Sequence, residues 1–191
     1  MRNPPGPTSI PTSPLDTNEV ERLVREQFTV IETADFALAE VNVTADFINH
    51  RAPTEPLAAR GRGPAALHAT ACWLHDAFSD LHFEVQKVAV AGEVAIAWVT
   101  LHGVNTGPFV VYDSPEGVVT DVFPPTGRSF ATRQVHWFRI GDGAIAEHNA
   151  VRDDLGMAKQ AGWIPPRPAY VVRMRLARRR ARRAARASIA R

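Results

Sequence analysis

The sequence predicts an α+β fold, a curved antiparallel sheet with helices packed on one face, and three observations predict it. Apolar residues recur at helical spacing only up to about residue 80. From there to residue 151 they recur with a period of two. The chain has 191 residues, 45% of them hydrophobic, which suffices for a single core. Helices first and antiparallel strands afterwards is the order of an α+β domain, not of alternating βαβ units.

Residues 1–15 hold five prolines and few apolar side chains, too little to offset the entropy of ordering them, and are expected to be a flexible leader. From Thr17, Val20, Leu23, Val24, Phe28 and Ile31 form one helical face behind an N-cap candidate, and a second short helix follows from Asp35 to Val41. "ADFINH" closes that helical stretch. In "GRGPAALHATACWLHDAFSD" Pro64 suits a first helical position, and Leu67, Ala71, Leu74 and Phe78 stack on one face of a third helix. Four strands are then expected: "LHFEVQKVAV", "VAIAWVTLHGV", "SFATRQVHWFRI" and "AIAEHNAV", two pairs of them joined by short glycine-containing turns. The domain thus covers residues 16–165. Residues 166–191 form an Arg/Ala-rich tail whose helical face is mostly alanine, too small for a core of its own. It is expected to be partly helical, either docked on a partner or solvated.

Charge divides along the same boundary. Residues 1–166 carry 12 Lys and Arg against 20 Asp and Glu, a balance of −8, while the other 10 basic residues all lie from Arg167 onward. Such a tail could meet an acidic surface, that of a partner, an anionic lipid or its own domain. The folded part has no basic stripe interleaved with aromatics, so no specific nucleic-acid partner is expected. A single cysteine, no apolar run of about 20 residues and no charged-then-apolar leader make the cytoplasm the expected location.

Covalent catalysis finds no support: there is no Gly-x-Ser-x-Gly, and Cys72 lies within a helix without an adjacent base. No phosphate-cradling loop follows a strand, and no His-x-x-x-His pair marks a metal, so neither cofactor nor metal is expected. What remains is acid/base chemistry or binding alone. Among the seven histidines, His102 is expected near a pocket mouth and His136 on the same wall as Phe138. On the second strand Ile96, Trp98 and Thr100 share a face opposite Ala95, Ala97 and Val99, and the bulkier face is expected on the core or pocket. In "AVRDDLG" the alternation separates two neighbouring carboxylates. Asp154 is expected to cap the following helix and Asp153 to act as the functional acid, or else to pair with Arg152 or Arg139.

The segments "DFINH", "GRGPAAL", "VTLHGVNTG", "PPTGRSF", "VHWFRIGDGAIAEHNAVRDDLG" and "QAGW", in this order, resemble the SnoaL-like polyketide cyclases, often labelled ester cyclases, of the nuclear transport factor 2-like superfamily. The resemblance spans residues 20–163. It implies a cone-shaped barrel, a strongly curved antiparallel sheet packed on three helices around an apolar cavity. It also implies an intramolecular aldol-type ring closure on a bulky, hydrophobic or aromatic polyketide-like substrate, without metal or cofactor, in a homodimer. The family's acid/base aspartate falls on Asp153. An assisting histidine falls on His136, with Phe138 as the alternative position, and a polar pair on Asn49 and His50. Trp98, Phe109 and Phe138 would wall the cavity, with Asn149 where the family commonly has Trp beside the acid. Residues 110–123 form a longer insertion than usual, expected as a lid or hairpin. The alternative is a non-catalytic ligand-binding or dimerisation module of the same fold. A pocket of several hundred cubic ångströms with Asp153 on its wall would favour the enzyme.

Overall fold

In the computed structural model, residues 16–112 and 115–189 are described. The leader and the tip of the insertion lie outside them. Helix α1 (Thr17–Thr33) starts where the Asp16 carboxylate accepts from the backbone N–H of Asn18, and α2 (Phe36–Asn42) starts where Asp35 accepts from Leu38. Strand β1 (Val43–Asn49) follows directly, and two short 3-10 turns (Ala52–Thr54 and Leu57–Arg60) lead to α3 (Gly63–Ala77). Gly63 opens α3 at φ +74°, pressed so close to β1 that a Cβ there would lie 2.5 Å from the carbonyl oxygen of Ala45.

Two long strands, β2 (Phe78–Ala91) and β3 (Val94–Asn105), are joined by a tight turn. The short β4 (Phe109–Tyr112) and β5 (Val119–Phe123) form a separate hairpin. Strands β6 (Ser129–Gly141) and β7 (Ala144–Arg152) complete the main sheet, and α4 (Asp154–Gln160) and α5 (Pro168–Ile189) end the described chain. The sheet runs β1-β7-β6-β3-β2, antiparallel except for the β1·β7 edge, which is parallel. Register shifts in β2 and near the end of β6 bend it. Because β1 and β2 remain edges, the expected barrel is an open cone.

The "ADFINH" segment is therefore a strand and not the end of a helix. Its apolar residues are too few for a period to show, and pairing with β7 decides its conformation. The insertion at 110–123 is the β4–β5 hairpin, tied to α3 by a 2.9 Å bond from Trp73 Nε1 to the Val110 carbonyl.

The core lies between the concave sheet face and α1–α3. Val24, Phe28 and Val30 of α1 meet Ala95, Ala97 and Val99 of β3 and Phe138 and Ile140 of β6, all fully or nearly fully buried. The small face of β3 is thus the inner one, contrary to expectation, and Ile96 and Trp98 are 44% and 49% exposed on the outer face. Alanines at 95 and 97 let the helix backbone approach the sheet, where larger side chains would hold it away. A second cluster, with Phe78, Phe130, Trp163 and Tyr170, packs α4 and the start of α5 onto the wide end of the sheet. Helix α5 lies against the hairpin: Tyr170 Oη donates to the Pro124 carbonyl, Arg182 Nε to that of Val119, and Arg178 sits 3.7 Å from Asp121. Of the surfaces expected for the basic tail, the one it meets here is its own domain. No helix among the described residues is long and apolar enough to cross a membrane.

Candidate active site

Alternation along β6 and β7 carries four side chains to the inner face: Gln134 and His136 from β6, His148 and Arg152 from β7. With Asn49 at the end of β1, the first three form one hydrogen-bonded line. Gln134 lies 2.8 Å from His136 Nε2, His136 Nδ1 lies 2.9 Å from His148 Nε2, and His148 Nδ1 lies 3.1 Å from Asn49 Oδ1. Burial, the neighbouring imidazole and the Arg152 charge hold His136 well below the usual histidine range, and burial first, with Arg152, brings His148 down to about 3. Both rings are therefore neutral at physiological pH.

Above this line is a cavity of about 70 Å³. Its walls are apolar, from Trp73 and Leu74 of α3, Phe83 of β2, Leu101 of β3, Phe109 of β4 and Met157 of α4. Its polar rim holds Glu55, Thr70, Arg51, Arg152 and Asp154. Glu55 is 2% exposed and accepts a 2.6 Å bond from Thr70 Oγ1; burial pushes its carboxyl above the usual carboxylate range. Asp154 is engaged by Arg152 Nε at 3.2 Å and by an Arg51 guanidinium nitrogen at 3.6 Å. Among the described residues no three His, Cys, Asp or Glu side chains converge as a metal site requires.

The expected site residues are divided by this geometry. Asn49, His136 and Phe109 line the cavity. Phe138 is wholly buried beneath His136, its ring centroid 6.2 Å from the imidazole, a support and not a wall. His50 turns away to Glu147, Nε2 to Oε2 2.8 Å. His102 stacks on His82 at 4.4 Å on the outer face, and Trp98 and Asn149 are on that face too, Asn149 lining a shallow groove beside Val135 and Trp137.

The two aspartates exchange places. Strand β7 ends at Arg152, so alternation no longer governs residue 153. Asp153 is the exposed N-cap of α4, accepting a 2.7 Å bond from the Gly156 N–H, and its carboxylate sits so close that a Cβ on Gly156 would collide with it. Asp154, expected as the cap, lines the cavity rim instead. Neither Arg152 nor Arg139 pairs with Asp153: Arg152 takes Asp154 and Arg139 takes Glu147 at 2.6 Å.

Sequence reasoning missed Gln134, His148, Arg152, Arg51, Glu55 and Thr70. The first three were within reach, since the period of two that sends His136 inward sends Gln134 with it and aligns His148 with Arg152. Glu55 and Arg51 lie in irregular turns where no periodicity aims a side chain.

A buried polar line roofed by aromatic walls and edged by two arginines suits proton transfer on an apolar carbonyl compound. The comparisons with known proteins agree on the lineage. The family model for the SnoaL-like polyketide cyclase matches residues 21–161, and the chain belongs to that family. It is similar to the aklanonic acid methyl ester cyclase DnrD of Streptomyces peucetius, 35% identical over 108 residues, which are 56% of this chain and 67% of that protein. The aklanonic acid methyl ester cyclase DauD of Streptomyces sp. (strain C5) is also 35% identical over 108 residues, 60% of its length. The nogalonic acid methyl ester cyclase of Streptomyces nogalater is 31% identical over 52% of this chain and 67% of its own. Among solved structures, TsrD from Streptomyces laurentii superimposes with a TM-score of 0.62 at 24% identity, covering 78% of this chain and 98% of that one. A SnoaL-like polyketide cyclase from Agrobacterium tumefaciens gives 0.54 at 11% identity, over 74% of this chain and 96% of that one. These two likenesses speak for the fold alone.

Proposed function

We propose that this protein is a cyclase that closes a ring in a polyketide-type methyl ester by intramolecular aldol chemistry. The observation that carries the reading is the buried line Gln134–His136–His148–Asn49 facing an apolar cavity. Buried polar groups are costly unless paired, and here they are paired with one another, held rigid at the cavity floor. The two guanidiniums at the rim would stabilise the oxyanion of an enolate or of the closing carbonyl. Such a ring closure is an isomerisation: it needs proton transfer but neither an oxidant nor a group donor, which supports a reaction independent of cofactors.

A cavity of about 70 Å³ has room for two or three waters, not for fused rings. In this reading the substrate displaces the wall it meets first, the β4–β5 hairpin that carries Phe109. The exposed apolar residues of the outer sheet face, Ile96, Trp98, Val135 and Val151, support a homodimer paired through that face. The exposed free thiol of Cys72 supports a cytoplasmic location. Arg175, Arg179 and Arg183, exposed four residues apart on α5, leave the tail a basic face for an acidic surface.

The test is incubation with aklanonic acid methyl ester and with nogalonic acid methyl ester, in the presence of a chelator. A product of unchanged mass and shifted retention is expected from at least one. Failure to convert either, with no quenching of Trp73 fluorescence, would end the reading in favour of a module that binds something else.

A further inference from the structure

The hydrogen-bonded line at the cavity floor ends at Asn49, and Glu55 lines the same cavity. The backbone N–H of Arg51 donates to Asn49 Oδ1 at 3.0 Å, which fixes that atom as the amide oxygen. His148 Nδ1, facing the same oxygen, therefore carries the hydrogen. As a neutral ring, His148 then has a bare Nε2, which accepts from His136 Nδ1–H. His136, neutral too, is left with a bare Nε2 that lies 2.8 Å from Gln134 Oε1, so the Gln134 amide must turn over to present its NH₂ to that nitrogen. With that amide turned, every donor points toward Asn49, which lines the cavity together with Glu55. Thr70 donates to Glu55.

Each competing group is occupied. His136 and His148 use both ring nitrogens within the line. Asp154 is bound to two arginines, and Asp153 caps α4 away from the cavity. Glu55 is a cavity-lining carboxyl without a contact ion pair among the described residues, and its backbone is fixed at both ends, the N–H donating to the Ala52 carbonyl and the carbonyl accepting from Arg60 Nε.

Building on the cyclase reading above, we propose that Glu55 is the catalytic acid/base of this cavity. The C–H bond beside the substrate's carbonyl breaks and its proton passes to a Glu55 carboxylate oxygen. The enolate's electron pair forms the new C–C bond to a second carbonyl carbon of the same molecule. That carbonyl's π pair moves to its oxygen, which takes the proton back from Glu55, so atoms and charge balance and the carboxylate is regenerated. Burial raises the carboxyl's proton affinity toward what this step needs, while the charges of Arg51 and Arg152 limit the rise.

The test follows deuterium exchange beside the carbonyl and ring closure of aklanonic acid methyl ester by the full chain and by Glu55→Gln, Glu55→Asp and Thr70→Val. Glu55→Gln keeps the volume and is expected to lose both readouts by about 10²–10⁴-fold while still quenching Trp73 fluorescence on binding. Glu55→Asp is expected to recover part of the rate. Thr70→Val, which removes a donor to the carboxylate, is expected to move the ascending limb of the pH–rate profile upward, a shift that a merely structural role would not produce. Closure by Glu55→Gln within tenfold of the unaltered chain would overturn the proposal and leave the cyclase reading standing. Exchange without closure by the unaltered chain, lost in Glu55→Gln, would support Glu55 and overturn the cyclase reading. Neither event in the unaltered chain would overturn both.

Discussion

The two faces of the main sheet are built from the same strands and obey opposite rules. On the inner face small and paired groups dominate: Ala95, Ala97 and Val99 beneath α1, then Gln134, His136 and His148 bonded to one another. On the outer face large apolar groups meet solvent, with Trp98 half exposed and Val151 at 78%. Bulk therefore does not mark the inside of this sheet. What marks it is whether a helix must come close, or whether a polar side chain can find every partner it needs.

The contrast breaks most sharply at Phe138, where the inner face is packed from both sides. Its ring meets Phe28 edge-on at 5.9 Å and lies beneath His136. Phe138→Ala is expected to cost about 3–5 kcal/mol, measured by urea denaturation, and to loosen the imidazole above it. A loss below about 1 kcal/mol would mean that the inner face is not close-packed.

Acid should separate the faces next. In the folded chain His148 is brought down to about 3, whereas unfolded it returns to an ordinary histidine value of 6.5. Between those values the unfolded chain holds a proton that the fold refuses. His148 therefore stabilises the fold fully above pH 6.5, and that stability is lost as the pH falls, by about 1.4 kcal/mol per unit. His136 adds a loss of the same sign, while Glu55, raised by burial, works with the opposite sign. At pH 4.5 the share from His148 is about 3 kcal/mol. A His148→Gln variant isolates it: the slope of stability against pH should flatten relative to the unaltered chain, and an unchanged slope would show that the ring is not buried neutral.

Much of this architecture was legible in the sequence. Helical spacing in α1 and α3 and period two in β2, β3, β6 and β7 were strong enough to fix element type, order and the shape they imply. The parallel edge strand β1 was not legible, because its pairing with β7 is a tertiary event between segments about 100 residues apart. Site residues divided in the same way. His136 and Asn49 were recognised because a motif surrounds them. Trp98 and His102 were assigned to the cavity because they share the bulkier face of β3, and Asn149 because it stands where the family commonly has Trp, but all three are on the outer face. Asp153 was misplaced by carrying a strand's alternation one residue past the strand's end.

Asp153 itself supplies a smaller test. As an N-cap it should be worth about 1 kcal/mol, so Asp153→Ala should lower stability by that amount, measured as a shift in denaturation midpoint. Ring closure should persist if the acid/base is held inside at Glu55, and a loss beyond tenfold would bring Asp153 back into the chemistry.

The smallest effect on folding is expected at Trp98, though the ring is among the largest side chains in the sheet. At 49% exposure it gives up little packing when truncated, and Trp98→Ala should change monomer stability by less than about 0.5 kcal/mol. Its place is between Ile96 and Thr100 on the same face, across from Val135 on β6, at the middle of the exposed apolar surface. If that surface pairs two copies, sedimentation should give a dimer for the unaltered chain and a folded monomer for Trp98→Ala at micromolar concentration. A monomer in both would assign the outer face to some other contact. A dimer in both would move the interface elsewhere, and in either case the two-face contrast would lose its outer half while the inner cavity kept its own.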